Sequence, residues 1–273
     1  MSKRPTSVLD YLYESPGPKT KKRISFWTAV SVVILAVLLF LVLLQFYRTG
    51  QFERRYWSFF ARATTWRFFA SGLLGTLKAS VLAGIVAFAL GFVMMLGRFS
   101  MFKATQAVAT AFIEFTRGVP TLLFIYFFFL GLPVMGLKLP SLLQIALPVA
   151  ISASGTVAEA LRSGVLAVSH GQSEAALSLG LSRHAVFFKV LFPLGFRYVI
   201  PSLISEIVIV VKDTTFAYIV SFPDLMQNAK VIISNYDAML SVYLFVAIVY
   251  ILVNYLLNKL SNLVAARSER RKV

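Results

Sequence analysis

The chain has 273 residues, of which 58% are hydrophobic and 14% charged, with no cysteine, two histidines and a formal net charge of +16. Soluble domains carry roughly 25% charged residues, so the composition argues against a water-soluble enzyme and makes lipid the main solvent. Disulfides, thiolate catalysis and Cys-ligated zinc are excluded, and His170 and His184 alone are a poor basis for a metal site.

In chain order, residues 1–23 form a basic tail, followed at 24–47 by 24 consecutive uncharged residues, more than the ~20 a helix needs to cross a bilayer. The competing reading, a cleaved signal peptide, fits poorly: the apolar core is longer than the roughly 7–15 residues of such signals, and no small-x-small site follows it. The next segment, 48–71, is interfacial. Within it 48–67 places Arg48, Arg54, Arg55, Arg62 and Arg67 among Tyr56, Trp57, Phe59, Phe60 and Trp66, a pattern that predicts an amphipathic helix on the membrane surface or a snorkelling linker. Further spans are expected at about 72–97, 105–131, 139–161, 198–220 and 238–260, making six. Lys78 is read as close enough to its helix end to snorkel. Pro133 to Pro140, with Gly131 and Gly136, marks a turn, and 162–197 is the long polar interruption.

The basic residues are unevenly distributed. If the N-terminus is cytoplasmic, seventeen of the 27 fall in cytoplasmic segments, seven outside, and Lys78, Arg117 and Lys212 lie in or near the membrane. This favours an N-in, C-in topology, and the excess charge then marks orientation instead of a nucleic-acid surface.

Charges inside apolar runs are costly and are therefore candidate functional groups. Glu114 with Arg117, and Glu159 with Arg162, have i,i+3 spacing and can meet on one helical face. Either each pair holds its own helix end, or one member is released to meet a zwitterionic substrate, whose ammonium suits a carboxylate and whose carboxylate suits a guanidinium. Pro120 breaks the helix after Arg117 and frees backbone groups. Glu206 and Asp213 share a face, with Lys212 turned about 100° away and the Thr214 and Thr215 hydroxyls following. Charges in such a run need partners, which a partner subunit could supply. In the loop, Ser173 is expected to cap a short helix with Ala175, Ala176 and Leu179 on one side; Gly180 stops it and Ser182 starts another. Two exposed alanines would let another protein approach closely, although an ordinary interfacial loop reads equally well.

The motifs from Gly75 to Ile233 give a sharper reading. Gly75-Thr76-Leu77-Lys78, Ile113-Glu114-Phe115-Thr116-Arg117-Gly118-Val119-Pro120, Ala158-Glu159-Ala160-Leu161-Arg162, Gly171-Gln172-Ser173-Glu174-Ala175-Ala176 to Gly180, and Lys212-Asp213-Thr214-Thr215 occur in that order. With them the chain resembles the permease subunits of ATP-binding cassette importers of the polar amino acid uptake family, of the glutamate/glutamine type. The resemblance implies an all-α polytopic membrane protein, with a five-helix permease domain at 72–262, the 24–47 helix as an addition, and a basic cytoplasmic tail at 263–273. It implies that the cytoplasmic loop 163–197 couples to a separate ATPase, with Gly171, Ser173, Glu174, Ala175, Ala176, Gly180 and Ser182 as the coupling residues. It also implies a path bordered by candidates among Glu114, Arg117, Pro120, Glu159, Arg162, Glu206, Lys212, Asp213 and Thr214. Expected partners are a second permease subunit, two ATP-binding cassette subunits, an extracytoplasmic substrate-binding protein and the lipid bilayer, in a bacterial inner membrane. Thr156, Ser205-Glu206 and Arg162-Ser163-Gly164 depart from the family pattern, which points to one half of a heterodimer.

No phosphate-binding Gly-x-x-x-x-Gly-Lys-Ser/Thr loop is present, so no catalytic residue, metal or cofactor is expected on this chain, and ATP and magnesium belong to the partner ATPase. The alternative from another class is an ion-coupled secondary transporter or channel, with Glu159, Glu206 and Asp213 as ion sites. Such carriers usually contain inverted repeats, and none is found here.

Overall fold

The computed structural model describes residues 17–270; residues 1–16 of the N-terminal tail and 271–273 of the C-terminal tail lie outside the described residues. Among these residues every regular element is a helix. The chain divides into two compact units at Tyr56–Trp57.

The first unit is dominated by α1 (Pro18–Arg48), opened by a proline, whose missing N–H costs nothing at a helix start. Thr49 ends it, its hydroxyl donating to the Gln45 and Phe46 carbonyls. Val32, Val33, Ile34, Leu35, Leu38, Leu39 and Phe40 are all exposed, so apolar side chains cover its circumference, as a helix surrounded by hydrocarbon requires. Gly50 turns the chain at φ +70°, and Arg55, within the turn Arg54–Tyr56, pairs with Glu53 at 3.0 Å.

The second unit begins with a short turn, Ser58–Ala61, and then α2 (Ala63–Arg98). The 48–67 stretch is therefore not the amphipathic helix its composition predicts: it folds as two 3-10 turns and the start of α2. Tertiary aromatic packing overrides the pattern, because Phe59 stacks on Tyr236 at 5.2 Å and Phe60 packs on Trp66, Phe69 and Phe245. Arg62 donates to the Tyr236 hydroxyl at 2.8 Å. Since α2 starts at Ala63, Lys78 lies fifteen residues inside the helix instead of near its end, although its side chain is exposed.

The third span is broken. α3 (Lys103–Gly118) and the run Thr121–Val134, which begins with α4 (Thr121–Tyr126), meet at 98°. Val119 is extended at φ −95°, ψ 126°, the region a residue before proline prefers, and Pro120 has no N–H to continue the ladder. After a turn, α5 (Ser141–Leu166) crosses as the most buried span. The helix α6 (His170–Ser178) and α7 (Arg183–Val186) follow, and α7 runs through a π turn, Phe187–Leu191, into α8 (Phe192–Asp213) and a 3-10 turn, Thr214–Val220. The polar interruption thus narrows from the expected 162–197 to the stretch between Leu166 and Arg183. α9 (Leu225–Tyr236) and α10 (Met239–Arg270) complete the fold.

Small residues hold this bundle. Gly72, Gly75, Ala79, Ala83, Ala87 and Gly91 form a buried stripe on α2 at helical spacing. Ala79, Ala83 and Ala87 pack against Ile145, Ala146, Val149 and Ala150 of α5, joined by Val210 of α8. Lipid tails are as apolar as a leucine side chain, so close van der Waals approach replaces the hydrophobic effect between such helices. A Cβ at Gly75 would collide with the Pro223 carbonyl, and one at Gly164 of α5 with the Gly195 backbone of α8.

α9 is fixed on α2 by polar contacts. The Leu225 N–H donates to Thr76 Oγ1 at 3.1 Å, and Asn228 Nδ2 donates to the Phe68 carbonyl at 2.7 Å.

Candidate functional site

The loop helix α6 presents one face outward. Gly171, Glu174 and Ala175 are exposed at i, i+3, i+4 spacing, and Leu179 beyond the helix end is 83% exposed. Two expectations about this helix need correction. Ser173 is not its cap: the helix starts one turn earlier, after Ser169, and Ser173 lies in the first turn with its hydroxyl donating to the His170 carbonyl. Ala176 is not an outward residue either, since it is 6% exposed and packs inside the unit. Gly180 does stop the helix, in the left-handed region at φ +82°, and Ser182 Oγ accepts from Ala185 N–H to start α7. An exposed face containing Gly171 and Ala175, ended by a sharp turn, thus lies in the loop between α5 and α8.

At the same end, Glu159 is the hub of an ion cluster. Its Oε1 accepts from Arg162 at 2.6 Å and its Oε2 accepts from Arg98 at 2.8 Å, so both oxygens are occupied. Arg117 adds a further favourable charge, while its own predicted partner Glu114 is 3.8 Å away in an exposed pair. The i,i+3 pairing of Glu159 with Arg162 follows from helix geometry. Arg98, which ties α2 to α5 through Glu159, does not; the sequence shows it only as a basic residue at the end of a span.

A second polar group sits at the helix break. Thr121, the first residue of α4, donates to Asp213 Oδ2 at 2.9 Å and lies 2.9 Å from Ser152 Oγ. Thr121 has one hydroxyl hydrogen and gives it to Asp213, so Ser152 is the donor to Thr121, and the bonds run from α5 through α4 to the end of α8. Next to it, Thr214 Oγ1, which opens the turn after α8, lies 3.0 Å from Ser80 Oγ of α2. Lys212 is exposed, on another face from Asp213, as the 100° step requires.

The third feature is a cavity of about 480 Å³ between α2, α5, α8 and α10, lined by Ser80, Ala87, Val157, Leu203, Glu206 and Val253 among others. The Glu206 carboxyl group is the charged group of its wall. It is 8% exposed and receives no hydrogen bond from any described residue. Burial of a carboxylate without a donor is costly unless a cation or donor from a ligand completes it.

The predicted residues therefore fall into separate groups. Glu159 and Arg162 join Arg98 at the loop end, Pro120 makes the bend, Asp213 and Thr214 take part in the polar seam, and Glu206 faces the cavity. Glu114 and Arg117 remain a loose surface pair outside that cavity. The contributors not singled out from sequence are Arg98, Thr121, Ser152 and Ser80. Of these, Ser80 carried a signal, as a hydroxyl within the alanine stripe of α2.

Residues 87–271 match the family described as binding-protein-dependent transport system inner membrane component. The chain is 34% identical over 200 residues to the probable glutamine ABC transporter permease protein GlnM of Bacillus subtilis, covering 70% of this chain and 93% of that protein. It is 30% identical over 229 residues to the glutamate transport system permease protein GluD of Corynebacterium glutamicum, covering 81% of each. Among solved structures, an amino acid ABC transporter crystallised with histidines superposes with a TM-score of 0.72 at 30% identity, covering 77% of this chain and 98% of that one.

Proposed function

The chain belongs to the binding-protein-dependent transport system inner membrane components, and from that membership we propose that it is the membrane-spanning subunit of an ATP-driven importer of a polar amino acid. Glutamine or glutamate is the favoured substrate, because the chain resembles a probable glutamine permease and a glutamate permease. The observation that carries the amino acid reading is Glu206: a buried carboxyl group with no donor among the described residues, in a largely apolar cavity, suits the ammonium common to all amino acids.

Coupling runs through α6. An ATPase subunit holding the face of Gly171, Glu174 and Ala175 would move α6, and α7 and α8 would carry that motion to Glu206. The fourteen helical steps from Phe192 to Glu206 span about 21 Å. The polar seam at Thr121, Ser152 and Asp213 would make the bent third span follow the end of α8 as α8 moves. In this reading the chain binds neither ATP nor magnesium, which belong to two ATPase subunits. An extracytoplasmic binding protein delivers substrate, and a second, different permease subunit supplies the remaining ligand contacts, including the cation a substrate carboxylate requires. The protein lies in a bacterial inner membrane with both termini in the cytoplasm, as its basic residues favour.

The test is an uptake panel of labelled Glu, Gln, Asp, Arg and His in vesicles holding the assembled transporter. Saturable uptake of Gln or Glu, competed by the other of the two, supports the assignment. Uptake of none of the five overturns it.

A further inference from the structure

A second, larger cavity lies away from Glu206, at the loop end of the bundle. It has a volume of about 760 Å³ and is walled by the last turns of α2, the turn that follows, and the α7 to π-turn segment. Cavities of this size, roughly 300–1,000 Å³, hold one moderately sized molecule. Its wall is largely apolar, with Leu96 and Phe99 on one side and Phe187 and Leu191 on the other; Phe99 meets Phe187 at 5.4 Å. Val93 extends the wall toward the middle of the span, and is itself 55% exposed. The apolar groove therefore opens along the side of a membrane helix.

The other end of the groove carries a guanidinium and an imidazole. Arg183 and His184 line it, both exposed, and no Asp or Glu is among its lining residues. His184 packs against Phe188 at 4.6 Å, which sets its ring over the groove wall. The turn beside it carries Met101 and Phe102, 88% and 75% exposed, followed at once by Lys103. Two bare apolar side chains next to a lysine are unfavourable in water and favourable at the headgroup boundary. The uncharged run of α2 ends at Gly97, so the same level is reached independently from the span.

We propose that this groove binds one anionic phospholipid, with an acyl chain along Val93, Leu96 and Phe99 and the phosphodiester held by Arg183 and His184. The Arg183 guanidinium beside the His184 N–H, joined to an apolar groove at a helix end, matches both parts of such a lipid, and the lack of acidic residues among the lining favours an anionic one. The occupant would pack the α7 to π-turn segment against α2, directly after the stop at Gly180. Lipid headgroup charge would thereby reach the segment that follows α6.

Native mass spectrometry on the full chain in detergent, titrated with phosphatidylglycerol and phosphatidylcholine, tests this directly. One phosphatidylglycerol is expected to bind at least tenfold more tightly than phosphatidylcholine. The preference should fall to under threefold in the double variant Arg183→Gln, His184→Gln and stay unchanged in Arg197→Gln, an exposed basic residue outside the groove. Equal retention of the preference in both variants overturns the proposal, as does full displacement of the lipid by millimolar inorganic phosphate. A photoactivatable phosphatidylglycerol carrying a diazirine on its acyl chain should label the wild-type protein at Val93, Leu96 or Phe99; labelling confined to other helices contradicts it. Loss of the bound lipid when the ATPase subunit assembles would give the groove to that subunit and overturn the lipid assignment.

Discussion

Thr121 and Asp213, 92 positions apart, meet at 2.9 Å where the first residue beyond the helix break touches the last residue of α8. The bond joins the first helical residue after the break to the end of α8, so it ties the angle of the bent third span to the position of α8. Ser152 extends the tie to α5.

Replacing Thr121 by Val keeps its shape and removes the donor. A hydrogen bond to a charged acceptor contributes about 1.5–3 kcal/mol, so Thr121→Val should lower the melting temperature and reduce uptake several-fold. Thr121→Ser, which restores the hydroxyl, should recover most of both. Thermal melting and uptake of the three proteins in one membrane preparation check this; a Val variant equal to wild type would show that the contact does not hold the bend.

Ala175 and Ala176 are neighbours with opposite roles. Ala175→Trp places a bulky group on the exposed face of α6 and should leave the melting temperature within about 1 °C while abolishing ATPase attachment to membranes. Ala176→Trp overpacks a buried site and should cost roughly 1–3 kcal/mol in stability. Melting and co-sedimentation of the ATPase separate the two effects.

Glu159 has two guanidinium partners, so its loss should exceed the loss of either. Glu159→Gln leaves Arg98 and Arg162 without their common anion, whereas Arg98→Met leaves Glu159 still paired with Arg162. A double-mutant cycle of these two variants, read by denaturation in detergent, is expected to give a coupling of about 0.5–3 kcal/mol. Strict additivity would mean that Arg98 and Glu159 do not act on one another.

Asp224 caps α9, accepting from Gln227 N–H at 2.7 Å, and is fully buried in the loop before that helix. Burial raises its carboxyl to about 6, against the lowering effect of the backbone donors around it. The folded state thus holds the proton more tightly than the unfolded chain, where Asp titrates near 3.9. The sign follows: the stability Asp224 contributes is fully present below about pH 4 and is lost as pH rises through about 6. Asp224→Asn keeps a capping oxygen and removes the titration, so its melting temperature should vary less across this window and exceed that of the wild type at pH 7. A wild-type curve rising from pH 4 to 7, with the variant following it, would contradict this.

The parts legible from sequence are those with local causes. Runs of uncharged residues give the spans, Pro120 gives the break because one missing N–H suffices, and the i,i+3 spacing gives the Glu159–Arg162 pair. Contacts between distant helices were not legible: periodicity shows that Asp213 and Glu206 share a face but does not reveal Thr121, or that Arg98 closes on Glu159. The 48–67 stretch misled for the same reason, since its aromatic residues are spaced for Tyr236 and Phe245, not for a helix of their own. Ser173 misled locally, because Ser169 offers an earlier start that leaves a helix one turn longer.

The most direct test of ATP-driven import is accumulation in sealed vesicles holding this chain with its partner permease, ATPase and binding protein. The amino acid is placed on the binding-protein side, ATP on the other, and an ionophore collapses all ion gradients. Uptake against a gradient should persist with the ionophore and stop when ATP is withheld. Uptake that continues without ATP and disappears with the ionophore would contradict the importer assignment and favour an ion-coupled carrier.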